Sequence, residues 1–264
     1  MEYRNMLVER QDGVVTMTLN RPDKLNAMTW DCWDELMVAL RRTSEDDDSK
    51  AVIITGAGRG FCAGSDLGES TGKAEAPQGE FSRTRWLHNG YMATHEVVAC
   101  QKPTIAAVNG TAAGAGFSVA LACDIRIASE TARFSAIFAR RGLSPDFGCS
   151  FFLPRIVGMS NALELMYTGD MFDAQEALRL GLVSRLTPPD QLLPEATALA
   201  LRIAAGPSLA IETTKRLAYR GLMEDLEDHM RLEEYWSRMC QASEDAREGV
   251  LGFLEKREPH FRGR

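Results

Sequence analysis

Two short segments of this 264-residue chain carry residue types from which a reactive site can be built: Gly60-Phe61-Cys62-Ala63-Gly64-Ser65-Asp66-Leu67 and Asn109-Gly110-Thr111-Ala112-Ala113-Gly114-Ala115-Gly116. Each follows an apolar run that reads as a buried strand, and each leads into a helical pattern. Such a turn leaves the first N–H groups of the helix without partners, and small residues let a ligand approach them closely. Two turns side by side can aim two N–H donors at one oxygen. That is an oxyanion hole, in which each donor is worth about 3–4 kcal/mol to the transition state. The other reading of either turn is that its small residues only permit tight strand–helix packing.

Competing chemistries fail on spacing. Gly56-x-Gly58 has Phe61 where a dinucleotide fingerprint needs its third glycine, and Gly114-x-Gly116 has Val119 there. Gly72-Lys73 lacks both the first glycine of a phosphate loop, where Leu67 stands, and the hydroxyl residue, where Ala74 stands. Gly116-Phe117-Ser118-Val119-Ala120 is one glycine short of a nucleophile elbow, so Ser118 reads as a small packing residue. His95-Glu96 is followed by Ala99 where a zinc protease needs its second histidine, and His88, His229 and His260 have no partner in the pattern. No metal site and no nucleotide cofactor are expected.

The elements that must carry these turns alternate in type. Glu2 to Leu19 reads as a hairpin about Asp12-Gly13, and Asn20-Arg21-Pro22-Asp23 breaks its second strand. Thr29 can cap a helix that presents Trp30, Trp33, Met37 and Leu40 on one face and ends at the acidic run Glu45 to Asp48. A strand over Ala51 to Thr55 follows, then a polar stretch, a helix from about Arg83 to Cys100, and strands at Thr104 to Val108 and Asp124 to Ala128. Asp173 to Leu180 reads as a short helix and Leu182 to Leu186 as a last strand. From Asp190 onward the pattern is helical, broken at Gly206-Pro207 and capped again at Ser243. Strand–loop–helix alternation predicts an α/β core with parallel pairing.

Composition bounds the rest. With 45% hydrophobic and 25% charged residues, the chain can bury a substantial core. A net charge of -7 and no basic block disfavour nucleic-acid binding. The N-terminal residues do not read as a secretory signal, and no apolar run approaches the roughly 20 residues of a membrane span. Six dispersed cysteines, Cys32, Cys62, Cys100, Cys123, Cys149 and Cys240, form no C-x-x-C pair and read as free thiols in a reducing, cytoplasmic compartment.

In order along the chain, several segments resemble the crotonase (enoyl-CoA hydratase/isomerase) family. Asn20-Arg21-Pro22 with Leu25-Asn26-Ala27-Met28 is similar to its first signature, Gly60 to Leu67 to its second, and Asn109-Gly110 through Cys123-Asp124 to its third. Gly181-Leu182-Val183 and Arg247-Glu248-Gly249 through Arg257 are similar to later landmarks. The resemblance implies a spiral of ββα repeats over residues 1–190, carrying the acyl-CoA site, and a helical trimerisation region over 191–264. It implies a homotrimer or a homohexamer, and coenzyme A that arrives as part of the substrate with no separate cofactor. Ser65 and Ala115 match the two positions whose N–H groups form the family's oxyanion hole. Coenzyme A is implied near Lys24, Leu25, Ala27 and the loop of Ala63, Gly64, Ser65, Asp66 and Leu67, with Gly114 and Phe138 also in the binding set. Phe253 and Lys256 match residues that reach the nucleotide end from a neighbouring subunit.

Typical hydratases of the family use two glutamates to place and ionise water, and here Ser118 and Phe138 stand at the matching positions. Ordinary two-glutamate hydration is therefore disfavoured. A carboxylate does occur in Gly142-Leu143-Ser144-Pro145-Asp146-Phe147-Gly148. Pro-Asp is a common turn former, so Asp146 by itself reads as a turn or cap. Against the family, the segment resembles that of enoyl-CoA isomerases, including the ring-opening isomerase of phenylacetate degradation. There one aspartate shuttles a proton while the oxyanion hole holds the enolate. Burial would raise the pKa of Asp146 and suit it to that work. The 4-chlorobenzoyl-CoA dehalogenases also carry an aspartate here, but Tyr91 and Phe138 replace their histidine and tryptophan. The expected activity is thus isomerisation of an enoyl-CoA. A single-carboxylate hydratase and a non-catalytic acyl-CoA-binding protein are the alternatives. Pocket shape depends on Trp86, Tyr91, Phe138 and Phe147, whose packing the sequence does not define.

Overall fold

The computed structural model describes residues 3–66, 68 and 92–263. Strands β1 (Met6–Gln11) and β2 (Val14–Leu19) form the expected antiparallel hairpin. Asp12 (φ 50°) and Gly13 (φ 79°) both take the left-handed conformation that a two-residue turn of this twist requires.

After the hairpin the chain builds two sheets at once. Strands β3 (Ala51–Gly56), β5 (Thr104–Val108), β7 (Ile125–Ser129) and β10 (Arg185–Thr187) extend the hairpin into a six-stranded sheet of order β1-β2-β3-β5-β7-β10, parallel from β2 onward. Strands β4 (Gly60–Cys62), β6 (Thr111–Ala113), β8 (Arg133–Ser135) and β9 (Phe172–Asp173) form a second sheet in that order. Each repeat therefore gives its first strand to the large sheet and its second to the small one, and a helix follows. This is the ββα spiral. The sequence reading had the two glycine-rich segments passing directly from turn to helix, whereas they contain β4 and β6. Three-residue strands are too short to show a period, and what defines them is their pairing, Gly60 with Thr111 and Cys62 with Ala112. The last strand lies at Arg185–Thr187, not Leu182–Leu186, because Leu182 and Val183 are buried in the turn that follows α6 (Ala174–Arg179).

Alternation along the large sheet sorts its side chains between two cores. Val15, Met17, Leu19, Val52, Ile54, Ala106 and Val108 face the interior between the sheets. Val14, Ala51, Ile53, Ile105, Ala107 and Ile127 face the opposite side, where Leu192, Ala196, Leu199 and Ala200 of helix α7 (Leu192–Ala204) cover them. With both faces covered, the central strands are apolar throughout, as parallel strands must be.

Helix α1 (Trp30–Glu45) starts where expected, with the Thr29 hydroxyl accepting from Cys32 N–H, and buries Trp33, Met37 and Leu40 while Trp30 is half-buried. Of the helix read over Arg83 to Cys100, residues 92–99 are helical (α2), and the remainder lies outside the described residues. Helices α3 (Ala115–Ala122), α4 (Cys149–Val157) and α5 (Met159–Thr168) flank the small sheet, where the rings of Phe117, Phe134 and Phe172 meet with centroids 5.6–6.1 Å apart. After α7 come α8 (Ser208–Gly221), α9 (Leu226–Gln241) and α10 (Glu244–Glu255), the last capped by Ser243. One polar face fastens α8 to the core: Glu212 pairs with Lys102 (2.6 Å), Lys215 with Asp124 (3.0 Å), and the Tyr219 hydroxyl donates to Asp124 (2.9 Å). Among the described residues no helix is long and apolar enough to cross a membrane. All six cysteines are free.

Candidate active site

The site begins with a loop that two asparagines hold in place. Pro22–Lys24 makes one 3-10 turn, after which Leu25 (φ 50°) and Asn26 (φ 56°) are both left-handed. A strained pair of this kind persists only where its surroundings over-determine it. Asn26 is buried, and its amide does the determining: Oδ1 accepts from Arg21 N–H (2.8 Å), and Nδ2 donates to the carbonyls of Ala57 (3.0 Å) and Gly60 (2.7 Å). From the other glycine-rich segment, Asn109 Nδ2 donates to the carbonyls of Gly58 (2.9 Å) and Gly60 (3.1 Å), and its Oδ1 accepts from Gly56 N–H (3.1 Å). The two amides thus converge on the Gly60 carbonyl at the start of β4. Both asparagines lie within the motifs quoted above, whose spacing alone assigns them no role.

Next to this frame, residues 25–28 run parallel to and alongside residues 63–66. Ala63 N–H donates to Leu25 O (3.0 Å), Met28 N–H to Gly64 O (2.8 Å) and Asp66 N–H to Met28 O (2.9 Å). In such a parallel bridge, Met28 bonds the residues on either side of Ser65. The Ser65 N–H is therefore turned away from the 24–28 loop. Gly64, at φ 102°, lies against the second segment, since a Cβ on it would stand 2.9 Å from Ala113 O and 3.4 Å from Ala115 N.

Ala115 is the first residue of α3 and follows Gly114, whose backbone (φ 53°, ψ -127°) suits glycine alone. The first intrahelical bond runs from Ser118 N–H to Gly114 O (3.0 Å), which leaves Ala115 N–H at the open end of the helix. Among the described residues, no backbone carbonyl accepts from the N–H of Ser65 or Ala115. The packing reading of these turns holds as well: a Cβ on Gly116 would meet Cys62 O at 2.2 Å, and one on Gly110 would meet Arg59 O at 2.1 Å. Close packing is what brings Ala115 N against Gly64, the residue before Ser65.

Asp146 lies in the segment between the 3-10 turn Ile137–Arg141 and α4. The Phe147 ring packs against Trp33 (centroids 4.7 Å apart), and the Asp146 carbonyl accepts from Cys149 N–H (3.0 Å) and from the Ser118 hydroxyl (3.1 Å). The carboxylate is not spent as a helix cap, because Gly148 occupies that position with no side-chain bond. Solvent reaches the carboxyl, yet the protein around it removes enough hydration to push its pKa up to about 6, opposed by its own backbone N–H. Ser118 is wholly buried and Phe138 nearly so, the latter within the core between the sheets. Neither can supply a carboxylate.

Of the other implied site residues, Lys24 is exposed at the end of the 3-10 turn, and Leu25, Ala27 and Ala63 are half-buried beside it. Arg21 bridges to Asp66 (3.0 Å). Burial would raise the Asp66 pKa, but the Gly68 N–H and the Arg21 guanidinium outweigh it and hold that carboxyl below the usual range. Leu67 lies outside the described residues, as do Trp86 and Tyr91. Phe253 is 83% exposed on α10, and Lys256 forms the left-handed cap of that helix. No hydrogen bond or ring contact among the described residues joins Phe253 or Lys256 to the 24–28 and 63–66 loops.

The ββα spiral thus carries two backbone N–H groups, of Ser65 and Ala115, that no backbone carbonyl accepts among the described residues, and on a neighbouring element a solvent-reached carboxylate with a raised pKa. The chain belongs to the enoyl-CoA hydratase/isomerase family, which matches residues 9–264. It is 36% identical over 262 residues to a crotonyl-CoA hydratase of Syntrophomonas wolfei, covering 99% of both chains. It is 35% identical over 265 residues to a 1,2-epoxyphenylacetyl-CoA isomerase of Escherichia coli, covering 100% of both. The crystal structure of an enoyl-CoA hydratase from Bacillus anthracis superposes with a TM-score of 0.92 at 33% identity, over 99% of this chain and all of the other.

Proposed function

We propose that this protein is an enoyl-CoA isomerase in which Asp146 carries the proton. The observation behind this reading is the distribution of carboxylates: Asp146 stands beside α3 with its pKa pushed up to about 6, while a buried serine and a phenylalanine occupy the two positions where the family's hydratases keep glutamates. The N–H groups of Ser65 and Ala115 hold the thioester oxygen. The ionised Asp146 removes a proton from the carbon beside the thioester, the electron pair moves onto the held oxygen, and the acid so formed returns the proton further along the chain. One carboxylate completes the cycle with no net consumption of water.

Coenzyme A enters as part of the substrate, along Lys24, Leu25, Ala27 and the Ala63-to-Leu67 loop, with Gly114 and Phe138 bordering the acyl end. Phe253 and Lys256 serve the nucleotide end of a neighbouring subunit's ligand, in a homotrimer or homohexamer working in the cytoplasm. The alternative is hydration with a single carboxylate. It is favoured by a relative of equal similarity that is named as a hydratase.

Assays of 3-enoyl-CoA, 2-enoyl-CoA and ring-epoxide CoA substrates separate the two. Asp146→Asn is expected to lower isomerisation about 10²- to 10⁴-fold while leaving CoA-ester binding intact. Isomerisation at the wild-type rate in that variant would refute the role of Asp146. Solvent-derived oxygen at the β-carbon of the product would identify the hydratase.

A further inference from the structure

The proposed chemistry uses a backbone donor on one element and a carboxylate on another, and one buried side chain bonds to the backbone carbonyls beside both. Ser118 lies in α3, three residues beyond Ala115. Its hydroxyl stands 3.2 Å from the carbonyl oxygen of Gly114 and 3.1 Å from that of Asp146. The Gly114 carbonyl and the Ala115 N–H are two ends of a single planar peptide group. A proton donated to the oxygen of that group polarises it and strengthens its N–H as a donor, as in any hydrogen-bonded chain.

Satisfying the carbonyls does not require this hydroxyl. Gly114 O already accepts from Ser118 N–H (3.0 Å), and Asp146 O already accepts from Cys149 N–H (3.0 Å). The single hydroxyl proton is shared between two oxygens that are each already paired. Its removal therefore strands neither carbonyl, and alanine suits a buried helix position. What the hydroxyl adds is a link between α3 and the Asp146 segment, which are 28 residues apart in the chain.

We propose that Ser118 is a positioning residue whose hydroxyl ties the Gly114–Ala115 peptide to the Asp146 segment, so that the oxyanion donor and the proton carrier keep one fixed relation. This rests on the reading of Ala115 and Asp146 given above. In that view the position that carries a glutamate in the family's hydratases is used here to aim the two remaining groups.

The test uses the full chain and an enoyl-CoA carrying carbon-13 at the thioester carbonyl. Turnover, melting temperature and the infrared carbonyl band of the bound thioester are measured for wild type, Ser118→Ala and Ser118→Thr. In Ser118→Ala, kcat is expected to fall roughly 3- to 10-fold, the worth of one neutral hydrogen bond, with KM and melting temperature nearly unchanged. The carbonyl band should move back toward that of the free thioester, and Ser118→Thr should restore both. Wild-type turnover and band in Ser118→Ala would overturn the proposal. So would parallel losses of binding and melting temperature without a band shift, because the hydroxyl would then serve packing alone. The band is also compared between Asp146→Asn and Asp146→Asn/Ser118→Ala. That comparison judges the tie to Ala115 whichever group moves the proton, whereas wild-type turnover in Asp146→Asn alone would discard the Asp146 reading.

Discussion

At the residue scale, Asp146 links stability and activity to pH in opposite directions. Its pKa of about 6 in the folded chain lies above the roughly 4 of an unfolded aspartate. Between those values the native state holds a proton that the unfolded state has released. The stability this group contributes is therefore full below pH 4 and is lost as pH rises through 6. Proton abstraction needs the ionised form, so kcat/KM should rise through an acid limb near pH 6. Replacing Asp146 by Asn should remove that limb along with most of the rate, which a pH–rate profile of residual turnover would reveal. The residue itself was visible in the sequence, but its freedom from capping was not, because Pro-Asp before a helix looks the same whether the carboxylate caps it or not. Ser118 was read only as small. A hydroxyl that joins two elements 28 positions apart leaves no local pattern.

At the element scale, the periodic parts of the chain were legible. The hairpin about Asp12-Gly13, the Thr29 cap and the apolar strands β3 and β5 all follow from local propensity and alternation. The helices past Asp190 do as well. Strands β4 and β6 were not, since each is three residues long and exists through pairing. Neither was the docking of α8, whose Glu212, Lys215 and Tyr219 occupy one face at positions i, i+3 and i+7 and meet Lys102 and Asp124, far earlier in the chain. Lys215 is nearly buried against Asp124, and removing one member of such a pair leaves the other charge uncompensated. Lys215→Met is expected to cost about 3 kcal/mol, the low end for a buried pair, because Thr104 and Tyr219 still serve Asp124. Chemical denaturation would measure it, and a loss confined to α8 would appear as faster amide exchange there than in the central strands.

At the scale of the whole molecule, the single chain leaves an apolar surface without cover. Leu226, Met230, Phe253 and Leu254, on α9 and α10, are each more than half exposed. Association through these helices would bury them, in keeping with the proposed trimer or hexamer. Phe253 offers a discriminating case, because a side chain 83% exposed contributes little to the stability of its own chain. Phe253→Ala should leave the melting temperature almost unmoved and raise KM for CoA esters, with no effect on truncated pantetheine thioesters that lack the nucleotide. An equal rise for both would place its influence elsewhere. The sequence bears on assembly only through family resemblance, since an apolar helix face covered by its own core and one left uncovered read alike until the neighbouring elements are known.

The convergence of Asn26 and Asn109 on one carbonyl also bears on how the molecule ages. Asn109 is followed by glycine, the pairing in which the next backbone nitrogen most readily attacks the side-chain amide and converts it to a carboxylate. Folded, the amide is held by Gly56, Gly58 and Gly60 and kept out of the geometry of attack. Unfolded, it is unprotected. Deamidation there would replace a donor by an acceptor facing the carbonyls of Gly58 and Gly60, and the turn could not close again in the same form. Incubation in urea should therefore add one mass unit to the peptide containing Asn109 and progressively lower the recoverable activity, while native protein kept for the same time retains both. Time spent out of the native state would thus accumulate as a permanent chemical record at the start of β4.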